Sequence, residues 1–189
     1  MDLKVYRLSD LPGPIDLSCL SEEEQSFHEP RQTARALLRQ ELHQRLRIPA
    51  ADIRFTRNEH GKPEVKGQHF NISHSGDCLC MAFHHLPVGV DVERIRPRAN
   101  MPKLARQFMG EAQAASFTER GCPKEEFYAC WCTAEALVKC AGISIWQAKQ
   151  YPFLYHHGKI QPLFENAPEI LLFTPQPGYC GAVAFRNTP

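Results

Sequence analysis

The chain has 189 residues, with 22 lysines and arginines against 21 acidic residues and a formal net charge of +1. A field that weak excludes a broad nucleic-acid or anionic-membrane surface, so any phosphate site has to be local. A hydrophobic share of 43% and a charged share of 23% are those of a globular protein with core enough to need no staples. No apolar run approaches the roughly 18 residues of a membrane span. Met1-Asp2-Leu3-Lys4 reads as neither signal peptide nor anchor, so the expected compartment is the cytoplasm.

In chain order, Leu3 to Leu8 is a strand candidate, followed by the turn Pro12-Gly13-Pro14. Ser21-Glu22-Glu23-Glu24 fits a capping box opening a short helix that Pro30 interrupts. Ala34, Leu37, Leu38, Leu42 and Leu46 recur at helical spacing and predict an amphipathic helix over 31–47. Its polar side carries Arg31, Arg35, Arg39, Arg45 and Arg47. Asp52-Ile53-Arg54-Phe55 reads as a short strand, Asn58 to Pro63 as loop, and Phe70-Asn71-Ile72 as a strand ending in a tight polar turn, Ser73 to Asp77. Cys78 to Phe83 is an apolar strand.

Further helices are predicted at 102–109, 111–117 and 124–141, the last with Phe127, Trp131, Ala134, Leu137, Val138 and Ala141 as its stripe and Gly142 as its stop. Strands are predicted at Tyr151–His156, Ile160–Phe164, Ile170–Phe173 and Tyr179–Phe185, with a turn at His157-Gly158. Helices then strands, twice over, suggest an α+β protein of two similar lobes, 1–87 and 88–189, with a site between them. None of the eight cysteines forms a C-x-x-C pair, and reduced, mostly buried thiols are expected. His84/His85 and His156/His157 alternate faces on a strand and read as structural.

The chemistry centres on Gly89-Val90-Asp91-Val92-Glu93. The alternation predicts a strand with one buried and one open face, Asp91 and Glu93 together on the open one, about 6–7 Å apart. A solvated edge strand is the plain alternative. Glu135 and Lys139 lie four apart on one face of the long helix, at the edge of its apolar stripe. Were Glu135 to meet Asp91 and Glu93, carboxylates about 5 Å apart would repel by about 3 kcal/mol per pair at a dielectric of about 20. A divalent ion would relieve that, and an all-oxygen set points to magnesium or manganese, which also takes substrate phosphate oxygens. Lys62 in Gly61-Lys62-Pro63 and Arg35 could grip phosphate, or could be ordinary exposed cations. His74 could donate to phosphate or bond within its own turn.

Together these residues resemble the 4′-phosphopantetheinyl transferase family of the surfactin-synthetase-activating type, near its short holo-acyl-carrier-protein synthase branch. The resemblance rests on Gly61-Lys62-Pro63, on Phe70 to Gly76, on Gly89 to Glu93, and on Trp131 to Lys139, in that order. Ile95 to Asn100 resembles the short branch. Ala134 stands where the family motif has a lysine directly before its glutamate.

The resemblance implies two α+β lobes related by a pseudo-twofold and transfer of 4′-phosphopantetheine from coenzyme A to a serine of an apo carrier protein. The expected product beside the holo carrier is 3′,5′-ADP. It implies that Asp91, Glu93 and Glu135 bind magnesium, with Asp91 also at the coenzyme A pyrophosphate. Glu135 would take the serine proton, and Lys139 would neutralise the pyrophosphate. Gly61, Lys62, Pro63, Ser73, His74 and Arg35 would contact the nucleotide. The expected partners are coenzyme A and an acyl or peptidyl carrier, the expected state a monomer. A non-catalytic coenzyme A or carrier binder, and a metal-dependent phosphohydrolase, are the other readings.

Overall fold

The computed structural model describes residues 1–187. Its elements are β1 (Asp2–Arg7), α1 (Glu22–Gln25), α2 (Glu29–Leu46), β2 (Thr56–Arg57), β3 (Pro63–Glu64), β4 (His69–Ser75), β5 (Cys78–His84) and β6 (Val88–Arg94). They continue with α3 (Met101–Phe108), α4 (Glu111–Glu119), α5 (Lys124–Ala141), β7 (Phe153–His156), β8 (Lys159–Pro162), β9 (Glu169–Phe173) and β10 (Tyr179–Phe185). The α+β class read from the sequence is the class observed.

The strands form two three-stranded antiparallel sheets, ordered β1-β5-β4 and β6-β10-β9, and two ribbons, β2-β3 and β7-β8. Each half runs strand, 18-residue helix, ribbon, then two strands, and orders its sheet as first, last and next-to-last strand. Each half therefore opens on a strand, β1 near the expected Leu3–Leu8 and β6 over Gly89–Glu93, ahead of the helices-then-strands order.

Period-two alternation decides which side of β5 meets what. Leu79, Met81 and Phe83 pack with Leu37, Leu38 and Leu42 of α2. Cys78, Cys80 and Ala82 point the other way, into a cluster with Val88, Val90, Val92, Val183 and Phe185 of the second sheet. The thiols there fill core, as small apolar residues do, and all eight cysteines are free. A third cluster joins α3 and α4 to α5, through Met101, Phe108, Phe117, Phe127 and Tyr128.

Several local readings change. The capping box at Ser21 and Glu24 is present, but the chain breaks before Pro30, which sits in the first turn of α2 where its missing N–H costs nothing. Residues 50–52 form a single 3-10 turn, and the short strand lies one step later, at Thr56–Arg57. Ser73, His74 and Ser75 continue β4, so the turn is only Gly76-Asp77. A 3-10 segment over Ile145–Gln150, opened by its own capping box at Ser144, precedes β7.

The largest revision concerns β6. Its expected open face is covered, because α5 lies directly on it. A Cβ at Gly89 would sit 2.1 Å from the Ala136 carbonyl oxygen and 2.4 Å from the Cys140 nitrogen. Only a residue without a side chain lets the helix backbone come so close. Gly89→Ala is expected to cost at least about 2 kcal/mol in urea unfolding, since neither helix nor strand backbone can step aside cheaply.

Candidate active site

Asp91, two residues beyond Gly89 on the same face, is carried under α5 and its side chain is 6% exposed. There it meets Lys139, whose Nζ donates to Asp91 Oδ1 at 2.6 Å. The same ammonium lies 3.8 Å from Glu135 Oε2, one turn back along the helix. Asp91 Oδ1 also accepts from Ser73 Oγ at 2.7 Å. Asp91 Oδ2 is buried and has no partner. Glu93, half-buried, accepts from Ser75 Oγ at 2.8 Å.

Electrostatics follow from that packing. Burial raises the Glu135 carboxyl above its usual range, with Asp91 and Glu93 adding to the rise and Lys139 opposing it. Burial alone would pull Lys139 down, but Asp91 and Glu135 together leave it raised. Lys139 is therefore held charged between two carboxyl groups.

The sequence-predicted residues thus divide. Asp91, Glu93, Glu135 and Lys139 are brought to one seam. Among the described residues, no three His, Cys, Asp or Glu side chains are gathered into a metal cage; Lys139 stands between the acids. The unpartnered Oδ2 of Asp91 is an oxygen of the kind a hard divalent cation takes.

Lys62 is not free in the cleft. Its Nζ donates to the carbonyls of Lys139 at 2.6 Å and Val88 at 3.1 Å, and burial lowers its pKa. Asn58, which the sequence reading left as loop, does parallel work: its Nδ2 donates to the Gly142 carbonyl at 2.8 Å, and its Oδ1 accepts from the backbone of His60 and Lys62. The loop before β3 thus satisfies one carbonyl in the last turn of α5 and the carbonyl of its cap residue Gly142.

Two cavities flank the seam. One, of about 310 Å³, is lined by Glu135, Lys139, Asn71 and Ile72 together with Gly61 and Pro63. The other, of about 350 Å³, shares Gly61, Pro63 and Ile72 and adds Arg31, Arg35, Arg57, Ser73 and His74. Arg35 Nε pairs with Glu24 at 3.2 Å, while its Nη1 is buried without a partner. Arg39, expected on the polar side of α2, is 2% exposed and binds Glu24 and the carbonyls of Ala50 and Ile53.

A family model for the 4′-phosphopantetheinyl transferase superfamily matches residues 87–180, and one for the N-terminal part of 4′-phosphopantetheinyl transferase matches residues 17–86. The 4′-phosphopantetheinyl transferase AcpT of Escherichia coli (strain K12) is 34% identical over 163 residues, covering 81% of this chain and 77% of that protein. The chain belongs to the 4′-phosphopantetheinyl transferase superfamily. The family resemblance read from four short motifs is therefore borne out.

Other superfamily members are longer. The 4′-phosphopantetheinyl transferase Sfp of Bacillus subtilis (strain 168) is 30% identical over 111 residues, 56% of this chain and 49% of that protein. The 4′-phosphopantetheinyl transferase gsp of Aneurinibacillus migulanus is 33% identical over 146 residues, 71% and 61% respectively. The chain thus spans about half the length of the Bacillus subtilis relative that it matches. No helix among the described residues is long and apolar enough to cross a membrane.

The Asp91–Lys139 pair gives this superfamily member a measurable signature. Lys139→Met strands a buried carboxylate and should cost about 3 kcal/mol in urea unfolding. Adding Asp91→Asn to that variant should recover most of the loss, which a double-mutant cycle reads directly.

Proposed function

We propose that this chain is a 4′-phosphopantetheinyl transferase, moving phosphopantetheine from coenzyme A to a serine hydroxyl of an apo carrier protein and leaving 3′,5′-ADP. The observation that carries this reading is the buried Asp91 with one free oxygen, held by Lys139, which with Glu135 lines one of two adjoining cavities, the other holding Arg35 and His74. Arg31, Arg35 and Arg57 around the second cavity suit a phosphate at one end of an elongated substrate, and the acids around Lys139 suit a second phosphate with a cation between.

In this reading Asp91, Glu93 and Glu135 would hold magnesium, or manganese in its stead, which would supply positive charge to the pyrophosphate oxygens. Glu135, its carboxyl raised by burial, accepts the serine proton as the serine oxygen bonds to the phosphorus bearing pantetheine. The phosphorus–oxygen bond to the nucleotide phosphate breaks, and the Lys139 ammonium meets the charge left on that oxygen. Arg35, Ser73 and His74, with Gly61, Lys62 and Pro63, line the nucleotide side. The ammonium of Lys62, already bound to two carbonyls, acts there through its position and its stem rather than as a free charge.

The same reading takes residues 1–87 and 88–189 as two lobes related by a pseudo-twofold, which the shared strand order of the two sheets supports. It also has the protein acting as a monomer in the cytoplasm.

Intact-mass analysis of an apo carrier incubated with enzyme, coenzyme A and magnesium is the direct test. The carrier should gain the mass of one phosphopantetheine arm, and a chelator should abolish the gain. Asp91→Ala and Glu135→Ala should lose at least about a hundredfold in rate. Coenzyme A binding with no product from any carrier would leave a binding protein instead.

A further inference from the structure

Strands β4 and β6 belong to different sheets, yet they run side by side, joined by side chains rather than by a backbone ladder. Asn71 Oδ1 accepts from the Val90 N–H at 2.8 Å, Ser73 Oγ from the Val92 N–H at 3.3 Å, and Ser75 Oγ from the Arg94 N–H at 3.1 Å. The offset is constant at 19 residues, so the two strands are parallel. Every second N–H of β6 is satisfied in this way by every second side chain of β4.

Residue type follows what stands opposite. Beside Asn71 the β6 position is Gly89, which has no side chain, and an acceptor alone suffices. Beside Ser73 and Ser75 stand Asp91 and Glu93. A hydroxyl has one proton and two lone pairs. Since each Oγ already accepts a backbone N–H, its own proton is directed outward, to Asp91 Oδ1 at 2.7 Å and to Glu93 Oε2 at 2.8 Å. A hydroxyl can both accept and donate in this way; an alanine could do neither.

The Ser75 rung is braced from the far side. Asp77 N donates to the Tyr179 hydroxyl at 3.2 Å, and a Cβ at Gly76 would meet that hydroxyl at 2.7 Å. The end of β4 is thereby pinned to β10, whose Tyr179 is in register with Arg94.

We propose that Ser75 is a positioning residue, its hydroxyl fixing the Glu93 carboxylate with one oxygen tethered and the other turned to the seam. Ser73 does the same for Asp91, whose tethered Oδ1 leaves Oδ2 as the free oxygen. The inference rests on the metal reading of the proposed function, and it assigns to β4 the orientation of two of the three ligands. Outer partners of this kind typically carry 10–100-fold of metal affinity.

Manganese binding to the coenzyme-free protein, titrated by electron paramagnetic resonance, gives one readout. Ser75→Ala should weaken it about tenfold, and Ser75→Thr, which keeps the hydroxyl, should restore it to within about threefold of wild type. Crystal structures of wild type and Ser75→Ala give the second readout, in which the Glu93 carboxylate should leave its wild-type orientation. Wild-type protein that binds no manganese sinks the metal reading; Ser75 is then judged by the Glu93 orientation alone. An unmoved Glu93 in Ser75→Ala overturns the positioning role, as does manganese affinity equal to wild type in Ser75→Ala. Equal loss in Ser75→Ala and Ser75→Thr, each with a lowered melting temperature, overturns it too, by making Ser75 merely structural.

Discussion

A carboxylate taken out of water must be matched, and Asp91 makes that demand at the centre of this molecule. Desolvating an ion costs several kcal/mol even after relaxation, and one well-placed counter-charge recovers it only with further hydrogen bonds. Lys139 and Ser73 supply both to Oδ1. Nothing among the described residues supplies Oδ2. Stability alone would favour an apolar residue there, and this unmatched oxygen is what the proposed function turns on. The burial itself depends on Gly89: with any side chain in that place, α5 would stand off β6, and both Asp91 and Lys139 would be wet.

The two halves meet through polar side chains more than through shared strands. Buried backbone groups need partners, and here the partners come from across the seam. Asn71, Ser73 and Ser75 serve β6, while Lys62 and Asn58 serve the end of α5. Side-chain bonds of this kind tie geometry to residue type, which a backbone ladder does not. They also couple the candidate site to both halves at once, since β6 and α5 carry the acids and Lys139 while β4 and the Asn58–Lys62 loop hold them in place.

How far the sequence spoke for itself depended on whether polarity meant exposure. α5 was legible to its ends, Lys124–Ala141, because its stripe is long and Gly142 in the left-handed region stops it. β6 was legible from alternation. The strand β4 was cut short because Ser73 and Ser75 are polar and precede a glycine; the pattern of a turn and that of a polar seam are the same string of letters. The partners of Arg39 and Lys62, which are carbonyls and Glu24, are hidden for the same reason. No local pattern announces a carbonyl 77 residues away. What did carry across the chain was the set of four motifs, which encodes the meeting of β4, β6 and α5 without showing how they touch.

Ala134 shows the limit of carrying a motif over letter by letter. Successive helix positions turn by about 100°, so the residue before Glu135 cannot face where Glu135 faces. In this chain Ala134 is 2% exposed and packed in the core beneath α5. A lysine on that Cβ would have to thread its stem out of a closed core to reach water. The site's positive charge is therefore arranged without it, Lys139 at the acids and Arg31, Arg35 and Arg57 around the second cavity. Between them run Gly61, Pro63 and Ile72, which offer shape and no charge. The two ends therefore differ in sign: the arginines leave the second cavity cationic, while Asp91, Glu93 and Glu135 together outweigh Lys139 in the seam beside the first.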